Sequence, residues 1–294
     1  MATQADPLAE LDAVHLGAEA VRRYLRRHGV TALRRFSQNH LIDGAVLEAI
    51  IGAARITPGR RILEVGPGIG ILTAALLRAG AHVTAVEVDP RLAEHLRARF
   101  ANLDSLRLVE GDILDLALED LASDPWDLVA NLPYHITSPV LHHVLGDGSR
   151  PERFVLMLQR EVAERVAAPP GGMSYLSVFV QYHASVHVER IVPASSFEPA
   201  PKVESAVVVG ETRPRRLDAR GEEELWRLVQ AGFRERRKML HNVLPRQLPE
   251  VGRERFAAAL GRVGIDPDRR PQTVSVEEWL ALSAELGPID GTRR

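Results

Sequence analysis

Arg61-Ile62-Leu63-Glu64-Val65-Gly66-Pro67-Gly68-Ile69-Gly70 decides how the rest of the chain is read. The first five residues have the apolar texture of a short strand, and Ile71 to Arg78 reads as an apolar helix. The glycines between them let the backbone turn sharply and approach a ligand closely. Outward from this unit the alternation continues. His82 to Val88 predicts a strand and Pro90 to Phe100 a helix; Leu106 to Val109 and Leu128 to Ala130 predict strands, Thr137 to Leu145 a helix and Phe154 to Leu158 a strand. Such alternation implies an α/β protein with a parallel sheet covered on both faces. Upstream, Leu16 to His28 and Asp43 to about Arg55 have helical spacing, and residues before about 15 read as a loose tail. Downstream, Tyr175 to Val188 and Val203 to Val209 are β-rich and flank a proline-rich loop, which predicts an antiparallel hairpin at the sheet edge. From Gly221 the period is helical: Glu222 to Phe233, Lys238 to Leu244, Arg253 to Val263 and Val276 to Leu286.

The 294 residues contain no cysteine, which excludes disulfides, thiolate metal sites and cysteine nucleophiles. This fits a reducing, cytoplasmic setting. No apolar run approaches the roughly 20 residues that cross a bilayer, so no membrane partner is expected. Met1 to Glu10 lacks the apolar core of a secretory signal. Net charge is −2, but its distribution is uneven. Glu211 to the end carries 17 Lys/Arg against 14 Asp/Glu, and the remainder 20 against 25. Basic residues cluster at Arg22, Arg23, Arg26, Arg27, Arg34 and Arg35, and at Arg234, Arg236, Arg237 and Lys238. Either cluster suits a phosphate backbone or a solvated helix face.

Two cofactor classes use a glycine loop after the first strand. The dinucleotide fingerprint needs a third glycine where this chain has Ile71. Glu64 would repel a pyrophosphate, yet suits the ammonium and sulfonium of S-adenosyl-L-methionine. Glu87 ends the next strand, 21 residues after Gly66, where an acid accepts from ribose hydroxyls in either class. Asp112 follows the third strand and is placed either to accept from an adenine amino group or to form a turn.

Asn131-Leu132-Pro133-Tyr134 stands at the carboxyl end of the fourth strand of the alternation. An adenine amino nitrogen is a poor nucleophile because its lone pair is delocalised into the ring. An Asn side-chain oxygen and a backbone carbonyl can accept its two hydrogens and aim the lone pair at a methyl group. Pro133 would fix the turn and Tyr134 would stack on an extruded base. No general base is required before attack, and alignment supplies most of the acceleration. Alone, the tetrapeptide would read as an Asx or proline turn; after a glycine loop and two spaced acids it reads as a site for methylating an amine. His142 and His143 are adjacent and diverge on a helix, so no metal is expected. His135 reads as a turn-surface residue within reach of RNA.

Together these residues resemble the small-subunit ribosomal RNA adenine dimethyltransferase family, the kasugamycin-susceptibility enzymes. The resemblance runs from about Arg34 to Leu286. Phe36-Ser37-Gln38-Asn39-His40-Leu41 resembles the family's F-G-Q-N-F-L, and Gln159 to Arg165 its Q-K-E-V-A-x-R. Phe197 to Val207 matches F-x-P-x-P-K-V-x-S-A-V, Phe233 to Leu244 matches F-x-x-R-R-K-x-L-x-N-x-L, and Gly264 to Arg270 a late G-I-D-P-x-x-R. Ser37, His40 and Met173-Ser174 depart from the family pattern.

The resemblance implies a Rossmann-like methyltransferase sheet of seven strands and a small all-helical C-terminal domain. The implied boundaries are an extension over 1–30, a methyltransferase domain over 31–212 and a helical RNA-binding domain over 213–294. It implies S-adenosyl-L-methionine as cofactor, held by Asn39, Leu41, Gly66, Glu87, Asp112 and Asn131. It implies a catalytic set of Asn131, Leu132, Pro133 and Tyr134, with Phe197 as a second stacking surface or a core aromatic. The expected reaction is dimethylation of two adjacent adenosines in a hairpin near the 3′ end of 16S rRNA, within an immature 30S particle, by a monomer. The alternatives are a large-subunit rRNA methyltransferase of the macrolide-resistance type, a ribosome-assembly factor acting by binding, and a nicotinamide dehydrogenase, which Ile71 disfavours.

Overall fold

The structure is a computed structural model that describes residues 6, 8–9, 11–30, 39–146 and 148–289. Arg34, Arg35, Phe36, Ser37 and Gln38, singled out above, lie outside the described residues. The chain divides into two compact units, one holding the chain to Ala163 with Val186–Thr212, the other Glu164–Ser185 with Arg213–Arg294.

The elements up to the sixth strand are α1 (Ala18–Arg27), β1 (His40–Leu41), α2 (Gly44–Ala54), β2 (Arg61–Val65), α3 (Ile71–Arg78), β3 (His82–Glu87), α4 (Pro90–Arg99), β4 (Leu106–Glu110), α5 (Leu118–Leu121), β5 (Trp126–Asn131), α6 (Thr137–Gly146) and β6 (Arg153–Gln159). Then come α7 (Arg160–Val166), α8 (Tyr175–His183), β7 (Ala184–Val192), β8 (Phe197–Glu198), β9 (Ser205–Thr212), α9 (Ala219–Phe233), α10 (Leu240–Gln247), α11 (Arg253–Arg262) and α12 (Val276–Leu286).

Seven strands form one sheet in the order β4-β3-β2-β5-β6-β9-β7. The strands from β4 to β6 are parallel, and β9 joins β6 antiparallel with Gln159 opposite Ser205. Near-continuous apolar runs such as Trp126–Ala130, buried throughout, are what a sheet covered on both faces requires. The strand order reverses between β2 and β5. A crevice opens there at the carboxyl ends of the strands, the usual ligand position in such sheets. A separate two-stranded ribbon pairs β1 with β8, His40 opposite Glu198 and Leu41 opposite Phe197.

Side-chain caps start the helices where the chain turns out of a strand. Asp43 accepts from the Ala45 and Val46 amides before α2, and Asp89 from the Arg91 amide before α4, where Pro90 suits the first turn.

Two local expectations are corrected, and one motif gains a place in the fold. Tyr175 to Val188 is not one β segment: it is helix α8 followed by the start of β7. Ser174 and Ser177 form a reciprocal cap that starts the helix, and its residues are buried almost all round, so the apolar run has no legible period. Gln159 to Arg165, matched only as a motif, ends β6 and forms most of α7. Arg236, Arg237 and Lys238 do not lie on a helix; they form an exposed turn between α9 and α10.

In the second unit, Met173, Val178 and Tyr182 share an apolar core with Leu228, Leu244, Phe256 and Trp279. That core explains why Glu164–Ser185 groups with the C-terminal helices rather than with the sheet, as boundaries of 31–212 and 213–294 would have it. Residues before 30 contribute α1, whose Val21 and Tyr24 are buried in the core of the first unit.

Candidate active site

Three glycines carry the loop after β2. Gly66, Gly68 and Gly70 have φ of 69°, 61° and 82°, a region that side chains with a Cβ rarely adopt. At Gly70 a Cβ would also lie 2.8 Å from the Leu96 side chain and 2.8 Å from the Phe100 ring. The Gly66 amide donates to the Val86 carbonyl at 2.9 Å, pinning the loop to β3. A Cβ at Gly66 would sit 3.6 Å from Cδ of Pro133, so the glycine loop and the Asn-Leu-Pro-Tyr turn face each other across a narrow gap.

Glu87 ends β3 and is 4% exposed. Its Oε2 accepts from the Gly68 amide and its Oε1 from the Asp89 amide, both at 3.0 Å. Burial raises its pKa, and these amides oppose the rise. Glu64, inside β2, is 1% exposed. Burial pushes it up to about 8; the Thr73 hydroxyl opposes this and the Glu87 carboxylate adds to it. Asp112 is exposed and caps the short turn Ile113–Asp115 by accepting from the Leu114 amide at 3.0 Å.

Asn131 closes β5 opposite Met157 of β6. Leu132 is buried, and its amide donates to the Met157 carbonyl at 3.2 Å, which anchors the turn to the sheet. The Ile136 amide donates to the Pro133 carbonyl at 3.1 Å, winding the chain into α6. Tyr134 is half-buried, and its hydroxyl shares a 2.8 Å hydrogen bond with Ser205 Oγ at the head of β9. The ring is thereby held from a second strand.

All ten residues singled out in the sequence, Asn39, Leu41, Gly66, Glu87, Asp112, Asn131, Leu132, Pro133, Tyr134 and Phe197, line one cavity of about 210 Å³. Asn39 and Leu41 reach it through β1. Phe197 reaches it through β8, and at 2% exposure it is at once a cavity wall and part of the core. His135 is exposed at the rim. Sequence reasoning misses the apolar lining supplied by Val86, Leu92, Ile113 and Met157. His40 enters it only as a departure from a motif. In the structure His40 lines the cavity, its Nε2 has no hydrogen-bond partner, and burial pulls its pKa down to about 4, so it is neutral at pH 7. Among the described residues, no lysine or arginine lines the cavity and no cluster of His, Asp or Glu could hold a metal ion.

This lining fits S-adenosylmethionine. Two buried carboxyls without a cation suit its positive charge, Glu64 keeps an unpartnered oxygen, and the glycine loop leaves room for close backbone approach. A pyrophosphate would meet the same carboxyls unfavourably.

The sequence model for ribosomal RNA adenine dimethylase matches residues 30–287. The chain is 45% identical over 260 residues to a ribosomal RNA small subunit methyltransferase A of Synechococcus, covering 85% of this chain and 91% of the relative. It is 41% identical to the protein of that name from Geobacter metallireducens, covering 91% and 100%. Among solved structures it resembles a dimethyladenosine transferase from Plasmodium falciparum, with a TM-score of 0.72, 25% identity, and coverage of 83% and 95%. It also resembles the 23S rRNA methyltransferase ErmE, with a TM-score of 0.67, 29% identity, and coverage of 84% and 99%. The chain therefore belongs to the ribosomal RNA adenine dimethylase family, enzymes that methylate rRNA with S-adenosylmethionine.

Proposed function

We propose that this chain dimethylates N6 of two adjacent adenosines in a hairpin near the 3′ end of 16S rRNA, acting as a cytoplasmic monomer on an immature 30S particle. The observation that carries the reading is the single cavity shared by the donor-side residues Gly66, Glu87 and Asp112 and the target-side residues Asn131 and Tyr134. The small-subunit assignment is supported by 45% and 41% identity to relatives named for that subunit, against 29% to ErmE. No described helix is long and apolar enough to cross a membrane.

S-adenosylmethionine, when bound, supplies an electrophilic methyl on a sulfonium. The chain does the rest. Asn39, Leu41, Gly66, Glu87 and Asp112 hold the donor, Glu87 and Asp112 as acceptors. The Asn131 side-chain oxygen and a backbone carbonyl of the turn accept the two amine hydrogens of the target adenine. Tyr134 and Phe197 bracket its ring. Incubating unmethylated small subunits with the protein and labelled donor should yield labelled N6,N6-dimethyladenosine by mass spectrometry of the nucleosides. Small subunits left unlabelled while large subunits incubated in parallel take up the label would overturn the assignment.

Tyr134→Phe keeps the ring and loses only the Ser205 hydrogen bond, worth about 1 kcal/mol. A fall in kcat/KM of about fivefold is expected. Tyr134→Ala loses that hydrogen bond and also base stacking worth about 1–3 kcal/mol, and should cost a further factor of about 5 to about 150. Equal effects of the two substitutions would remove Tyr134 from contact with the base.

The exposed turn Arg236-Arg237-Lys238 belongs to the helical unit and is assigned to phosphate binding. Replacing all three by alanine should weaken RNA binding and flatten its dependence on log salt by about 2–3, one step of about 0.7–0.9 for each phosphate that is no longer neutralised. Filter binding over a salt series checks this; an unchanged slope would return the turn to a solvated surface.

A further inference from the structure

Glu64 is a buried carboxyl that the transfer chemistry above leaves without a task. It stands on β2, lines the cavity, is 1% exposed, and its Oε2 has no hydrogen-bond partner. The polar groups around it offer no fixed positive charge, and His135, which lines the same cavity, is exposed. From β3 comes Glu87, of like charge; beyond it Asp89 is already paired with Arg91 at 2.7 Å. From α3 comes the Thr73 hydroxyl, and from β5 the uncharged Asn131. From β1 comes His40, held neutral by burial, and from the turn after β4 comes Asp112. On α4, the Arg99 guanidinium donates to the Ile69 carbonyl at 2.6 Å and lies over the Phe100 ring. The lining from α2, β6 and β8 is apolar: Ile50, Met157 and Phe197. An unpaired carboxylate in such a place is strongly disfavoured, more so beside a second carboxylate.

We propose that Glu64 is protonated in the free protein and gives its proton to solvent when the cationic head of the methyl donor enters, so that donor binding and proton release are one event. The inference rests on the S-adenosylmethionine reading. The carboxyl O–H bond breaks, the proton passes to buffer, and the carboxylate stays as the counter-charge of the ligand. No other bond changes.

Donor affinity then rises with pH below about 8, where the free protein gives up the same proton unaided. Over that range the gain approaches about tenfold per pH unit. Above it the contribution of Glu64 is flat. The same linkage makes the cavity sensitive to the charge of its occupant.

Calorimetry of the full chain with S-adenosylmethionine at pH 7, in buffers of different ionisation enthalpy, counts the protons. Wild type should release most of one proton more per donor than Glu64→Gln, which keeps the shape and cannot ionise. Subtracting the variant removes any titration of the ligand's own ammonium. Infrared difference spectra of wild type on donor binding should show loss of a protonated carboxyl band, a readout that needs no variant. S-adenosylhomocysteine keeps the ammonium and lacks the sulfonium. Release with both ligands assigns the effect to the ammonium, release with the donor alone assigns it to the sulfonium, and either supports the proposal. Donor binding with equal proton counts in wild type and variant, and no carboxyl band lost, overturns it and leaves the cofactor reading standing. Absence of donor binding to wild type overturns both.

Discussion

Asn131→Ala is expected to lower single-turnover methylation by at least a hundred- to a thousandfold, about the loss that follows removal of one oriented group from a transition state. Donor binding should survive, weakened by less than about tenfold, because Gly66, Glu87 and Asp112 remain in place. Attack by the adenine amine requires its lone pair to leave the ring π-system, and that rehybridisation is favoured by acceptors placed where the N–H bonds will point. Asn131 is suited to this because its backbone is fixed in β5 opposite Met157, and because the next amide, that of Leu132, is tied to the Met157 carbonyl. The side chain starts from a rigid base, so little is lost in orienting it. Rapid-quench measurement with a saturating RNA hairpin separates the chemical step from product release. Activity near wild type would mean that the amine is not activated by this side chain.

Glu64→Gln should make the free protein more stable by about 2–3 kcal/mol at pH 7 while weakening its hold on the donor. Folding raises the pKa of Glu64 from 4.5 to about 8. Below pH 4.5 both folded and unfolded chains carry the proton and the group costs nothing. Between pH 4.5 and 8 the unfolded chain ionises and the folded chain does not, so this contribution falls as pH rises and levels off above about 8. Glutamine removes the slope and retains part of the cost as an imperfectly paired amide. His40 acts in the opposite direction: its pKa falls from 6.5 to about 4, so stability is lost as pH drops through that window. Denaturant unfolding of wild type and Glu64→Gln from pH 4.5 to 8.5 checks both. The variant should lie slightly below wild type near pH 4.5, cross it as pH rises and exceed it by pH 7; parallel curves would show that Glu64 is already ionised in the free fold.

The parts of the fold legible from the sequence are those where a local signal coincides with a physical constraint. The strand, glycine loop and helix over Arg61–Arg78 are readable because β2 is buried on both faces and the turn admits only glycine. Glu87 is readable by spacing, because a strand and a helix between two crevice positions have nearly fixed lengths. The helix α8 is not, since its residues are buried all round and no period survives. The ribbon joining Leu41 to Phe197 is not either. Two residues on each side carry no pattern, and the partners lie far apart in sequence, so Phe197 is reached only through its motif. The arginine turn after α9 has helical composition on both sides, and only the structure shows the helix stopping at Phe233. The cost of Glu64 is invisible as well. A glutamate in a strand is ordinary until burial on both sides and the approach of Glu87 are known.

The mechanism we propose depends on the side-chain oxygen of Asn131 holding a target adenine by its exocyclic amine, with that nitrogen turned toward the donor's methyl-bearing sulfur. A crystal structure of the protein with S-adenosylhomocysteine and a short adenosine-containing RNA shows this geometry or its absence. The expected result is an extruded adenine between Tyr134 and Phe197, with its N6 within hydrogen-bond reach of Asn131 Oδ1 and facing the sulfur. An Asn131 side chain turned away, with no space for a nucleobase beside it, would refute the mechanism.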